Sequence, residues 1–507
     1  PARPAARAAA AVNRGRAPHF PQKGGTALSD NKRYSTLMNN TLLFAISNFS
    51  SKLLSLISQP YLSYVLDGPD VMGVTKLMQQ VANLLIPVVS LGVSYAVIRF
   101  GLDKAQDKSS VFMNGLATIA TGFGIMALCW PLVALIPNAG EYLILLYLCV
   151  LMSCLRTLCT QFIRARMLNR LVAVDGVLTT AELLGGYVLF LNVLDLGATG
   201  YLLAMAASDA LSTLFVFIAG RCYQFFDFRK FSVRLWKDML KYCVPMIPAS
   251  ISFWVINASD MFFVQAMCEG TGGRTGNEWA GLLSTGYFLP QILTIVGQIF
   301  YEAWQLSAVS EETDREAFFS KVFRIYGSVL FCCTAGIIWL CRPLMNIFQQ
   351  SYFDAWQFVP FLVLSSMCTC LNQFTNSVYV VFKRSFSSLY TMLAGAVLNV
   401  ILNYFFILWI GPVGVTLASF LSLFLVFLLR AYSTRGLLEI DFRPAWMGLN
   451  LAIVLAEIVL LYLFPEQSLW LCAIPTAVVI AINFRDVWHM AMLLLGRFFP
   501  ALVRGRK

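Results

Sequence analysis

A lysine stands in the middle of the first long apolar run of the chain. Lys52 lies about 15 residues into the run 37–66, too far from either end for its ammonium group to reach water easily. A cation surrounded by hydrocarbon is costly, so it normally faces a polar cavity or pairs with an acid. We therefore predict that Lys52 binds an anionic ligand in a cavity. A salt bridge to an acid on a neighbouring helix is the alternative.

Other polar side chains also interrupt apolar runs. Arg99 and Arg156 lie near the ends of their runs, where anchoring at the membrane surface competes with ligand binding as an interpretation. Two pairs share one helix face by their spacing of three or four positions: Asn257 with Asp260, and Asn399 with Asn403. The remaining candidates are acids within apolar runs or at their ends: Asp209, Glu182, Glu302 and Glu457.

No set of residues indicates covalent or metal-dependent catalysis. The 13 cysteines fall mostly in apolar runs without a CxxC spacing, and the two histidines are His19 and His489. We interpret the cysteines as small apolar packing residues. The chain has no phosphate-binding P-loop, no HExxH motif and no nucleophile elbow. We therefore predict a protein that is not an enzyme and has no catalytic residues, no metal ligands and no cofactor.

The elements that position these residues are membrane helices. The 507 residues are 58% hydrophobic and 12% charged, with a mean hydropathy of +0.71, whereas soluble proteins carry about 25% charged residues. Windows of about 20 apolar residues predict fourteen spans. They cover 37–66, 74–98, 112–136, 141–163, 171–191, 199–220, 241–267, 281–304, 322–348, 356–381, 387–409, 412–430, 446–464 and 468–484. The first and seventh are overlong, and Pro60, Pro245 and Pro248 are candidates for bends.

The positive charges orient these spans. With a cytoplasmic N-terminus, 33 of the 37 Lys and Arg residues, Arg430 among them, fall in inside segments, and the outside loops hold only Arg274. This distribution follows the positive-inside rule and predicts an even number of helices with both termini in the cytoplasm. Twelve helices are the alternative to fourteen.

A short sequence occurs twice at equivalent points of this topology. The stretches 196-LGATGYLLA-204 and 410-IGPVGVTLA-418 both follow an odd-numbered span on the outside, and a weaker echo relates Gly73 to Gly281. The repeats predict two parallel lobes of six helices, which transporters place around a substrate path. We therefore predict an all-α membrane protein. Its parts are a disordered basic tail (1–35), an N-lobe (36–225), a C-lobe (226–435), two added helices (436–485) and a cytoplasmic amphipathic tail (486–507).

Several stretches resemble a known family. They are 48-NFSSKLLSLISQPYLSYVL-66, 83-NLLIPVVSLGVSYAVIRFG-101, 245-PMIPASISFWVINASDMFFV-264, 280-AGLLSTGYFLPQILTIVGQIFYEAW-304 and 396-AVLNVILNYFFILWIGPVGVTLAS-419. Over about residues 35–485 the chain resembles the oligosaccharide flippases (Wzx type) of the multidrug/oligosaccharidyl-lipid/polysaccharide exporter superfamily. The resemblance implies two six-helix bundles around a V-shaped cavity in a bacterial plasma membrane. It also implies transfer of undecaprenyl-pyrophosphate-linked oligosaccharides from the inner to the outer leaflet.

With this substrate, each polar candidate has an expected role. Lys52, Arg99 and Arg156 would meet the diphosphate, and Asp260 would bind sugar hydroxyls or form a gating pair with Lys52. Asp209, Glu182 or Glu457 would carry a coupling proton or Na⁺, with structural hydrogen bonds as the alternative. Glu302 and Trp304 would line the cytoplasmic mouth. Asn257, Asn399 and Asn403 would line the cavity, although polar pairs also join helices.

Three other functions are weighed against this one. A cation-coupled drug exporter of the same superfamily requires an acid-dominated N-lobe site and no cationic cavity. A lipid II flippase is expected to carry several cavity arginines, where this chain has one mid-membrane lysine. A glycosyltransferase or ligase would require a catalytic acid pair or a large external loop. Expected partners are the bilayer, the lipid-linked oligosaccharide, and possible polymerase and glycosyltransferase proteins, but no nucleic acid.

Overall fold

The computed structural model describes residues 52–498, apart from residues 53, 104, 311–313 and 383, and in this part of the chain it contains helices and no strand. The predicted basic tail 1–35 lies outside the described residues. So do the side chains of two predicted site residues, Asn257 and Glu302.

Eight helices form a first bundle, which we define as α1–α8. They are α1 (54–65), α2 (Pro69–Val89), α3 (Val93–Leu102), α4 (Lys108–Leu128), α5 (Trp130–Ala134), α6 (Leu143–Ala165), α7 (Asn169–Tyr187) and α8 (Gly197–Ala219). Both α6 and α7 pack along α8, and α2 and α3 pack on α6. A connecting helix, α9 (Val233–Cys243), then lies against α3 and α4.

Seven helices form a second bundle, which we define as α10–α16. Its bounds are Ile247–Met267 (α10), Gly276–Gly286 (α11), Phe288–Ser310 (α12), Arg315–Met345 (α13), Val359–Val381 (α14), Ser385–Ile410 (α15) and Gly414–Thr434 (α16). Here α14 and α15 pack along α16, α10 packs on α15 and α12 on α14. The chain ends with α17 (Pro444–Leu463), α18 (Ser468–Leu471) and α19 (Ala473–Phe498). Both α17 and α19 pack on α13.

The described helices are those of a polytopic membrane protein. Ten are long and apolar enough to cross a bilayer, or up to twelve if each of two bent pairs is one span. The count of fourteen stays a prediction, because the first predicted span begins before the described residues. The predicted amphipathic tail begins as a direct continuation of α19.

Bends occur where the backbone cannot continue a straight helix. The second predicted span consists of α2 and α3, which meet at 48°, with Pro87 in the last turn of α2 and Leu91 and Gly92 at positive φ. Of the prolines predicted to bend the seventh span, Pro245 lies in a 3₁₀ turn at Val244–Met246 that separates α9 from α10, whereas Pro248 lies within the first turn of α10.

The repeated glycine motif performs the same two tasks in both bundles. Gly197 and Gly411 have φ values of 51° and 79°, a conformation that side chains with a Cβ rarely adopt. At the second glycine of each motif, a neighbouring backbone segment takes the space that a Cβ would need. A Cβ on Gly200 would lie 2.7 Å from the Phe190 carbonyl oxygen, and one on Gly414 would lie 2.4 Å from that of Phe406. The first glycine therefore permits the turn, and the second permits close helix packing.

The two bundles meet where α2 crosses α11. A Cβ on Gly73 would lie 1.9 Å from the Asn277 carbonyl oxygen, and one on Gly281 would lie 1.9 Å from that of Pro69. Each contacted carbonyl belongs to the residue four positions before the opposing glycine. The contact is therefore reciprocal, as in a two-fold symmetric interface, and it relates the two bundles as the sequence repeats predicted.

We expect Gly281→Ala to weaken this crossing. The added methyl group must push the two helices apart, and overpacking of this kind costs about 1–3 kcal/mol. Thermal unfolding of the purified protein should therefore occur at a lower temperature than in the wild type. Gly124→Ala is the matched control, because a Cβ there meets no heavy atom within 4 Å. Equal melting temperatures for the two variants would contradict a tight crossing.

Candidate functional site

The contacts between the two bundles at the predicted external end are polar. The Thr275 hydroxyl donates to Asp70 Oδ1 at 2.7 Å, and Asn138 Nδ2 donates to Asn277 Oδ1 at 3.1 Å. They surround the glycine crossing of α2 and α11. The structure therefore has the two bundles joined at this end.

Lys52 lies deeper along the same interface. Its ammonium group is half-buried and donates to Gln298 Oε1 on α12 at 2.5 Å. Two further bonds cross between the bundles nearby. Gln59 Nε2 donates to the Ser284 carbonyl at 3.3 Å, and Trp254 Nε1 donates to the Gln80 carbonyl at 2.9 Å. The structure thus places Lys52 against the second bundle.

Asp260 forms the centre of a buried polar cluster inside the second bundle. Its carboxylate is fully buried and accepts hydrogen bonds from Asn403 at 2.8 Å, Asn399 at 3.4 Å, Tyr287 at 3.3 Å and Ser419. Asn399 and Asn403, the pair predicted to share one helix face, therefore join α15 to α10. Both are fully buried, so they bind the carboxylate and do not face open space in this structure.

This cluster has the composition of a site for a small hard cation. Asn399 Oδ1 accepts from Ser259 at 3.0 Å, and Asn403 Oδ1 is buried and accepts no hydrogen bond from the residues that the structure describes. A buried amide oxygen without a donor is rare, and a bound cation is one way to satisfy it. Carboxylate, amide and hydroxyl oxygens with a single negative charge suit a monovalent ion or a proton.

Arg156 belongs to a second cluster, inside the first bundle. Its guanidinium lies 3.3 Å from Asp209 Oδ1 and 3.6 Å from Asp175 Oδ2, and its Nε donates to Ser212 at 2.9 Å. Ser212 in turn donates to Asp175 at 2.5 Å. The predicted cation Arg156 and the predicted acid Asp209 are thus brought together, and they bind each other across α6 and α8.

Asp175 was not identified as a candidate from the sequence, although this residue is only 1% exposed and completes the cluster. Asp175 precedes Glu182 by seven positions on α7, so the two acids lie on the same helix face. This spacing is the feature of the sequence that could have identified Asp175. Oε2 of Glu182 is buried and accepts no hydrogen bond in the described part of the chain. The first bundle therefore holds three carboxyl groups near one arginine.

Other predicted residues lie apart from both clusters. Arg99 is exposed and its guanidinium lies 5.3 Å from the ring centre of Tyr242 on α9. Trp304 is 4% exposed and donates to Ser377 at 2.9 Å, so it belongs to an aromatic core and not to an open mouth. Glu457 is fully buried between α17 and α19, where Thr476 donates to its Oε1 at 2.8 Å.

Arg430 requires a correction, because it was placed in an inside segment. It lies within α16 and is 4% exposed. Its guanidinium donates to the Asn372 carbonyl at 2.8 Å, Thr391 Oγ1 at 3.1 Å and Ser388 Oγ at 3.2 Å. These uncharged oxygens on α14 and α15 replace the water that a loop position would have provided. Among the described residues, no carboxylate lies within ion-pair distance of Arg430.

Comparisons with known proteins agree with this architecture. A family model described as polysaccharide biosynthesis protein matches residues 37–302, just over half of the chain. The structure of a lipid II flippase, MurJ, in an inward closed conformation superposes with a TM-score of 0.66 at 15% identity, covering 91% of this chain and 100% of that one. An inward-facing multidrug resistance MATE family transporter of the MOP superfamily gives 0.63 at 16% identity, covering 78% and 98%. No curated protein matches the chain significantly.

Proposed function

Because the chain belongs to the polysaccharide biosynthesis protein family and has the fold of MOP superfamily transporters, we propose that it is a lipid-linked oligosaccharide flippase. Its substrate is an undecaprenyl-pyrophosphate-linked repeat unit for surface polysaccharide. It moves the unit from the inner to the outer leaflet of a bacterial plasma membrane, in which both termini of the chain are cytoplasmic.

The observation that carries this proposal is the position of Lys52. A diphosphate with a bulky sugar head crosses the membrane only through a polar path, and it needs a cation on that path. Lys52 lies between the two bundles and contacts Gln298 of the second. Arg156 is less suited to this role, because two carboxylates already surround it. Arg99 is suited to a first contact with the head group, since it is exposed at the end of α3.

Alternating access supplies the movement. The α2–α11 crossing closes the predicted external end, so release toward the outer leaflet requires the two bundles to separate there. A tight glycine contact suits a gate, because it provides a defined closed position. The space between the two bundles, which contains Lys52, then opens to one side of the membrane at a time.

Reconstitution of the full chain tests the substrate class. The purified protein is placed in vesicles that carry a fluorescent undecaprenyl-pyrophosphate oligosaccharide, and arrival in the other leaflet is measured by access of a lectin. We expect lectin-accessible lipid to increase with protein content. Transport of lipid II in preference to the oligosaccharide lipid, or of cationic drugs alone, would contradict the proposal and support the corresponding alternative.

We further propose that the Asp260 cluster binds the coupling cation, with Na⁺ as the ion to be tested. Na⁺ should then stabilise the wild-type protein against heat relative to choline at equal ionic strength, by about 2.7 kcal/mol at a hundredfold excess over Kd. Asp260→Asn should remove this difference, because the site loses its negative charge. The measurement is thermal unfolding of the purified protein.

Asp209→Asn provides the matched control, since Asp209 is a carboxylate of the other bundle held by Arg156. It should retain the full Na⁺ effect. Loss of the Na⁺ effect in Asp209→Asn but not in Asp260→Asn would move the cation site to the first bundle. Equal stability of the wild type in Na⁺ and choline would contradict Na⁺ binding at both places.

A further inference from the structure

A cavity of about 470 Å³ lies between α13, α14, α16 and α17, away from the interface of the two bundles. Its walls are mostly apolar, with Phe331, Leu371, Phe424, Phe427 and Leu451 among them. Specific small-molecule sites have volumes of about 300–1,000 Å³. None of the residues proposed for oligosaccharide transfer lines it.

The cavity becomes polar at one end, where α16 stops and the segment to α17 begins. Arg435, Glu439 and Asp441 line this end. Arg443 Nε lies 3.5 Å from Asp441 Oδ2, and the Glu439 backbone N–H donates to Glu316 Oε1 at 3.4 Å. This end of the cavity is therefore lined by one arginine and two acids, with Arg443 and Glu316 beside them, so its charges are mixed with a slight negative excess.

This arrangement matches the depth profile of a lipid molecule. The apolar walls belong to helices that span the bilayer, so they lie at the level of acyl chains. The charged end lies at a helix terminus, where lipid head groups are found. Water would leave so apolar a cavity, whereas a hydrocarbon chain would fill it.

We propose that the cavity binds one acyl chain of a zwitterionic phospholipid that has an ammonium head group. The lipid phosphate pairs with Arg435, and the ammonium group is bound by Glu439 and Asp441. The charges disfavour the other occupants that a bilayer offers. An anionic phospholipid or a polyprenyl diphosphate would bring added negative charge to an end that already has more acids than arginines.

The walls include a residue that allows a direct test. Gly448 lines the cavity, and a Cβ there would meet no heavy atom within 4 Å. Gly448→Leu should therefore fill the space without displacing the protein. Gly336→Leu is the matched control, because Gly336 is also helical with nothing within 4 Å but does not line the cavity.

Native mass spectrometry of the purified full chain measures the bound lipid. The protein is equilibrated with equal amounts of dioleoyl phosphatidylethanolamine and dioleoyl phosphatidylglycerol in detergent. We expect one phosphatidylethanolamine to be retained on the wild type and on Gly336→Leu, and about fivefold less on Gly448→Leu. Undiminished retention on Gly448→Leu would overturn the proposal.

The head group is tested separately by Glu439→Gln and Asp441→Asn together, surface changes that leave the helix core intact. They should lower the preference for phosphatidylethanolamine about fivefold while total binding of dioleoyl lipid persists. Equal or preferential retention of phosphatidylglycerol by the wild type would overturn the assignment. Displacement of the lipid by undecaprenyl diphosphate would also overturn it and would attach the cavity to the substrate path.

Discussion

Lys52→Ala should reduce export of surface polysaccharide by roughly 10- to 100-fold, as expected for the loss of one charge-assisted contact of about 1.5–3 kcal/mol. The substrate's diphosphate would lose its cation at the interface of the two bundles, where Lys52 contacts Gln298. In a strain whose surface polysaccharide depends on this protein, lipid-linked repeat units should accumulate in the inner leaflet. Extraction of these lipids and immunoblotting of the protein provide the measurement.

Two variants separate charge from packing. Lys52→Arg keeps a cation and should retain most of the export, whereas Lys52→Met should behave like Lys52→Ala. Lys76→Ala is the matched control. Lys76 is also a half-buried lysine within a membrane helix, but its ammonium group donates to Tyr201 of its own bundle at 3.1 Å. Normal polysaccharide in Lys52→Ala, at normal protein level, would remove Lys52 from the proposed path.

Joining Asp70 to Thr275 should stop export completely. The two side chains contact each other at 2.7 Å across the closed end that is predicted to be external, so cysteines at both positions can be linked by a short, cleavable thiol reagent. The link would prevent the separation of α2 and α11 that outward release requires. Export should fall in proportion to the linked fraction of the protein and return after reduction.

A matched pair controls for the reagent and for rigidity in general. Asp107 and Lys230 lie 3.3 Å apart, and both belong to the first bundle and the segment that packs on it. Linking cysteines there should leave export unchanged. The thirteen native cysteines are buried or half-buried. The variants Asp70→Cys and Thr275→Cys, each made alone, show whether the reagent links a native cysteine. Continued export by fully linked Asp70→Cys/Thr275→Cys protein would contradict alternating access.

The repeated elements were the most predictable part of the fold. Glycine is strongly favoured where the backbone adopts positive φ, as at Gly197, or where a neighbouring backbone lies too close for a Cβ, as at Gly200, so the spacing of these glycines indicates local geometry. The same holds for Asn399 and Asn403, whose shared face follows from helix periodicity. Boundaries were less accurate, because α16 continues past its predicted end and takes Arg430 into the protein interior.

The partners of the charged residues could not be predicted. Arg156 meets Asp175 and Asp209 because α6, α7 and α8 pack together, and no sequence spacing encodes which acid faces which arginine. The hydrogen-bond partners of Arg430 could not be predicted for the same reason, because its three acceptors lie on two other helices. These groups meet because their helices pack against one another in three dimensions. A single sequence does not show which helices will be neighbours.

The reciprocal crossing of Gly73 and Gly281 also constrains the biogenesis of the protein. Pro69 and Gly281 are separated by more than 200 residues, so at about 5–20 residues per second α2 waits roughly 10–40 s for its partner to be synthesised. During that interval the first bundle must persist in the bilayer with this face in contact with lipid. The contact that closes the finished molecule therefore forms only after more than half of the 507 residues have been synthesised.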